Sequence, residues 1–132
     1  MHRLTFFLIL IFTLGFLCTA IAQDDEPSLK KVYLDQDDGL LAIPTQIVLI
    51  PGDSLQFYTT NGDFAIFSEN AVSFLKIKNA DLNVQISSSG TAESDIFIVR
   101  EVDADISTNY SIYCISNNSW PAAPPRIIIV VQ

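Results

Sequence analysis

Apart from its first residues, this chain is written in short apolar runs that break at turn-forming residues. Ile47-Val48-Leu49-Ile50 reads as a buried strand. It stops at Pro51-Gly52-Asp53, where proline presets φ and glycine is free to take φ > 0. Leu55-Gln56-Phe57-Tyr58 resumes with alternation, and Asn61-Gly62-Asp63 signals the next turn. Phe64–Phe67, Val72–Ile77, Leu82–Ile86, Ile96–Val99, Tyr110–Ile115 and Ile127–Val131 are further strand candidates, and Val32-Tyr33-Leu34 is read as a brief edge strand. Ser87 to Gly90 and Ser116 to Pro125 are loops. No window carries a helical stripe, although Glu69 to Ile77 has room for one turn. Many short strands at this spacing predict an all-β domain, a Greek-key sandwich or small barrel.

The opening segment follows a different rule. A basic start, Met1-His2-Arg3, precedes the apolar run Leu4 to Leu17 and the small residues of Ala20-Ile21-Ala22. This is the layout of a secretory signal peptide spanning residues 1–22. An uncleaved anchor is the competing reading, but the run is short for a membrane span and lacks a basic flank behind it. Lipidation at Cys18 is disfavoured by the bulky Phe16 and Leu17. The expected organisation is therefore a signal peptide (1–22), a flexible acidic leader (23–31) and one β-sandwich domain (32–132) in a secreted or periplasmic protein.

Charge and cysteine content narrow the chemistry. Fifteen acidic residues oppose seven basic ones, for a net charge of −8. Nucleic acid and anionic membrane surfaces would repel such a chain. Removing residues 1–22 takes away His2, the single histidine, along with Cys18. Cys114 is then alone, so no internal disulfide forms. Without an imidazole no Ser-His-Asp or Cys-His arrangement exists, and the expectation is a chain with no enzymatic activity and no cofactor. Asp35-Gln36-Asp37-Asp38-Gly39 looks like a calcium loop, but its glycine sits at the fifth position and Gln46 occupies the twelfth, so a solvated acidic turn is expected. Asn109-Tyr110-Ser111 and Asn117-Asn118-Ser119 satisfy the acceptor rule for N-glycosylation.

Two stretches in order resemble the cupredoxin family, the small blue copper proteins of the plastocyanin type. Tyr110-Ser111-Ile112-Tyr113-Cys114 matches the strand that carries the family's cysteine ligand, and Arg126 to Val131 looks like its closing strand. Ile47 to Ile50, Pro51-Gly52-Asp53, Ser54 to Tyr58 and Asn61-Gly62-Asp63 are similar to the earlier strand, turn, strand and loop. The resemblance implies a cupredoxin-like fold, with the first strand and the closing strand running parallel as neighbours. An immunoglobulin-like sandwich is the rival scaffold, although the usual cysteine pair around a tryptophan is absent.

The positions that the resemblance assigns to copper ligands depart from the pattern. Asn117 stands where the second histidine belongs, Ala122 or Ala123 where the methionine would fall, and a gap-free count from Pro51 puts the first histidine position on Ala65. Only Cys114 survives. A type 1 centre needs two imidazoles beside the thiolate, so a degenerate site formed by Ala65, Cys114, Asn117 and Ala123 is expected to hold no blue copper. Cys114 is expected to fill the end of the core, with a soft-metal contact or an intermolecular disulfide as the other readings. Trp120 is expected to fold back over the end of the core; the alternative is that it anchors a partner. The function expected is that of a noncatalytic binding or structural module for an unidentified protein or extracellular ligand, with no membrane insertion. The alternative is metal handling or electron transfer through Cys114.

Overall fold

The computed structural model describes residues 26–89 and 92–132. The expected signal peptide and Cys18 lie outside the described residues. Ten strands run in chain order: β1 (Leu29–Asp35), β2 (Ala42–Ile43), β3 (Gln46–Leu49), β4 (Ser54–Asn61), β5 (Asp63–Ser68), β6 (Leu82–Ser87), β7 (Phe97–Ile98), β8 (Ile106–Asn109), β9 (Ser111–Cys114) and β10 (Arg126–Ile129). A single 3-10 turn, Ala71–Ser73, follows β5. Among the described residues no helix is long and apolar enough to cross a membrane.

One layer has the strand order β2-β1-β4-β7. The other joins β3-β10-β8 to β6-β5-β9, because only Tyr110 separates β8 from β9. The chain changes layer between β2 and β3 at Pro44, which lacks the N–H needed to continue a ladder. Alternation puts one side of each strand inward: Val32 and Leu34 of β1, Leu55 and Phe57 of β4, Phe64 and Ile66 of β5, Ile112 of β9, and Ile127 and Ile129 of β10 are all fully buried. These side chains form one core, each contributing about 1.5–3 kcal/mol by leaving water.

Two parallel pairings tie the ends of the chain into the sandwich. β1 runs parallel to β4, with Val32 opposite Phe57, and β10 runs parallel to β3, with Ile127 opposite Ile47. The closing strand thus has a parallel neighbour, but it is β3, the strand ahead of the Pro51-Gly52-Asp53 turn, and not the first strand. β1 is also not an edge strand, since β2 and β4 flank it. The leader is shorter than expected: Leu29, Lys30 and Lys31 pair with Ser54, Leu55 and Gln56. Charged side chains do not prevent this, because backbone groups make the ladder and both lysines project to solvent. The strand expected over Val72–Ile77 is replaced by the 3-10 turn, entered through Asn70 in the left-handed conformation at φ 52°. Gly62 has φ +86° and lies against Gln36; a Cβ there would stand 2.7 Å from Gln36 Oε1.

Candidate functional site

The end of the sandwich that carries Cys114 is built by β5, β9 and two loops. Across the antiparallel β5–β9 pair, Phe64 faces Cys114 and Ala65 faces Tyr113. Opposed residues share a face of the sheet, and successive residues alternate between faces. Cys114 therefore points inward beside Phe64, both with no exposure. Ala65 points to the opposite face with Tyr113. This corrects the placement of Ala65 in the degenerate site: counting from Pro51 fixes distance along the chain, but a slip of one residue reverses the face. The β5 residue beside the thiol is a phenylalanine, which has no lone pair to offer a metal.

The other two positions are exposed, whereas the thiol is fully buried. After β9 the backbone of Cys114 exchanges hydrogen bonds with Ser119, N–H to O at 2.9 Å and O from N–H at 3.2 Å, closing a tight loop. Asn118 takes φ 49° within it. Asn117 is exposed, and its side-chain Nδ2 donates to the Gln36 carbonyl at 3.0 Å. Ala123 is exposed as well. The described residues hold no histidine, and Cys114 is their one free cysteine. No group of three or more His, Cys, Asp or Glu among them is placed to hold a metal ion. The residues present do not fit a type 1 copper ion, which requires imidazole nitrogens around the thiolate.

What this end does present is an aromatic surface on a fixed frame. Ala122 donates its N–H to the Gly39 carbonyl at 2.9 Å, and Asn117 reaches Gln36, so the loop after β9 is fastened to the acidic turn after β1. Trp120 is 66% exposed. Its ring packs on Tyr113 with centroids 4.8 Å apart, and the Tyr113 hydroxyl donates to Asn118 Oδ1 at 3.0 Å. Trp120 does not fold back over the core, contrary to expectation. Phe64, Ile112 and Cys114 already close that end, and Tyr113 offers the indole a partner on the outer face.

The acidic turn is ordered by hydrogen bonds to side chains, one of them from Asn61 at the end of β4. Asn61 Nδ2 donates to Asp35 Oδ1 at 2.9 Å, and the N–H of Asp37 donates to the same oxygen at 3.0 Å. These two donors hold the Asp35 carboxyl below its ordinary value of 3.8. Leu40, 39% exposed, sits within this turn and adds an apolar element to the surface. Sequence reading missed Gln36, Gly39 and Tyr113 as parts of one surface. No local signal joins them, because the Asn117–Gln36 contact spans 81 positions of chain.

No protein-family model matches the chain, and no curated protein matches it. Among solved structures it is similar to a variant of amicyanin in its reduced Cu(I) form at pH 4. That likeness has 10% identity, covers 82% of this chain and 87% of the other, and has a TM-score of 0.48. A second amicyanin variant, with Cu(I), is 13% identical over 84% of this chain and 88% of its own, with a TM-score of 0.43. At such identities the likeness concerns fold alone. The copper named in those structures belongs to those proteins; what strand order and register show here is an all-β sandwich with two parallel pairings.

Proposed function

We propose that this chain is an exported, noncatalytic module on a cupredoxin-like scaffold, and that it works by binding a protein or extracellular ligand through the surface around Trp120. The observation that carries the reading is the exposure of Trp120 on a loop whose geometry is already fixed. Large aromatic side chains supply much of the energy of protein interfaces. An indole held by Tyr113 and by a loop fastened to the neighbouring turn gives up little freedom when a partner covers it. The expected signal peptide over residues 1–22 supports export. The lack of an imidazole among the described residues around Cys114 favours binding over electron transfer.

Replacing Trp120 by a photo-crosslinking phenylalanine analogue in the producing cell tests the reading. A discrete adduct, lost when the analogue is moved to the exposed Glu101, supports it. Illumination that gives no adduct at position 120 overturns it. N-terminal sequencing of the secreted product checks export, with Gln23 expected as the first residue.

A further inference from the structure

The edges of the two layers are protected to different degrees. β2 and β7 each have two residues, and Lys76 covers β7 by donating its N–H to the Ile98 carbonyl at 2.9 Å. β3 is blunted at both ends. Pro44 precedes it, and the Ile50 N–H just beyond it donates to Asp53 Oδ2 at 3.0 Å. β6 has no such device. Leu82-Asn83-Val84-Gln85-Ile86-Ser87 contains no proline and no charged residue, and it pairs with β5 without a bulge.

Its free side can be assigned residue by residue. Ser88 donates its N–H to the Gly62 carbonyl, which fixes the hydrogen-bonded pairs of the ladder as Phe64–Ile86, Ile66–Val84 and Ser68–Leu82. The backbone groups of Asn83, Gln85 and Ser87 therefore point away from β5. No backbone or side-chain group among the described residues bonds to them. Natural sheets ordinarily guard an edge of this length.

We infer that β6 is a self-association edge, at which a second copy of this chain adds antiparallel across a two-fold axis through Gln85. That register pairs Gln85 with Gln85 of the second copy, and Asn83 with Ser87 of the second copy, so every outward backbone group finds a partner. On the inner face it sets half-buried Val84 beside Ile86 of the second copy, extending the apolar layer. Charge selects this occupant. A chain of net charge −8 resists contact with itself over most of its surface, whereas β6 is a neutral strip. Of the nearest carboxylates, Asp81 would lie about 27 Å from its symmetry mate at ~3.4 Å per residue, and Asp63, which accepts the Ser87 hydroxyl at 2.7 Å, about 20 Å from its own across three strand spacings of ~4.8 Å. Screening removes most repulsion at those distances, since the Debye length is about 8 Å in physiological salt. The dimer joins a continuous sheet by an isologous contact of small area, and it is weak and concentration-dependent.

Sedimentation velocity of the reduced, purified chain from about 1 µM to about 1 mM reads the equilibrium. The expected result is a monomer–dimer transition with concentration-dependent protection of the Asn83, Gln85 and Ser87 amides from hydrogen exchange. Gln85→Pro removes an outward N–H while leaving the ladder to β5 intact, and it lowers association at least about tenfold. Gln85→Lys keeps the backbone donor but sets two ammonium groups side by side, so its dimer is weaker and recovers in high salt. A chain that stays monomeric across the range overturns the proposal, including one that binds a neutral strand peptide instead. So does a dimer whose affinity is the same in Gln85→Pro.

Discussion

The Asp53 carboxylate accepts the backbone N–H of Ser28 at 2.6 Å, across a separation of 25 positions. Its second oxygen takes the N–H of Ile50 at 3.0 Å, and the residue is only 1% exposed. One buried side chain in the Pro51-Gly52-Asp53 turn thus satisfies donors on two layers and aligns β1 for its parallel pairing with β4. Asp53→Ala would leave two part-buried donors without their acceptor, at a cost of about 1–2 kcal/mol. The expected outcome is a lower urea midpoint at an unchanged slope. Asp53→Asn, which retains one acceptor oxygen, costs less.

Tyr110 behaves differently. Its ring meets Phe57 edge-on at 5.6 Å, but its buried hydroxyl has no partner among the described residues. Burial pushes its pKa well above the ordinary 10.0. Tyr110→Phe keeps the ring contact and removes the unpaired group, so stability should stay the same or rise by about 1 kcal/mol. In an alkaline absorbance titration Tyr110 should ionise only on unfolding. Because the folded-state pKa is the higher one, this contribution to stability is complete below pH 10 and is lost as pH rises above it.

Asp35 shows the opposite sign. The Asn61 amide and the Asp37 N–H hold its carboxyl below 3.8. Its contribution is present above the unfolded value and fades as pH falls through the depressed folded value. A carboxyl NMR titration should place the Asp35 midpoint below the ordinary one, and Asn61→Ala should return it toward 3.8. A midpoint that ignores the substitution would contradict the assigned cause.

Cys114 is fully buried beside Phe64, so a thiol reagent should leave the folded chain unmodified and react once denaturant is added. Copper added to the reduced chain should produce no intense blue thiolate absorption. Cys114→Ser places a hydroxyl in the same apolar surroundings and should destabilise by about 2 kcal/mol.

Trp120→Ala separates an exposed anchor from a core lid. With the indole 66% exposed, stability should change by less than about 1 kcal/mol. A loss of about 3–5 kcal/mol would mean that the ring closes the core.

The strand-forming runs, the two turns at Pro51-Gly52-Asp53 and Asn61-Gly62-Asp63, and the departure from the copper ligand pattern are properties of local sequence. Apolar alternation encodes the first, glycine and proline the second, and residue type the third. Register is not local. Whether Ala65 or Phe64 stands beside Cys114 depends on how β5 aligns with β9, and one residue of slip would exchange them. The same holds for the ends of the chain: the charged run at Lys30 and Lys31 becomes a strand only because β4 supplies a ladder, anchored by Asp53. The Trp120 surface exists because Asn117 and Ala122 meet the turn at Gln36 and Gly39, distant in the chain and adjacent only after folding. Side-chain chemistry was written in the sequence; which side chains meet was decided by long-range backbone pairing.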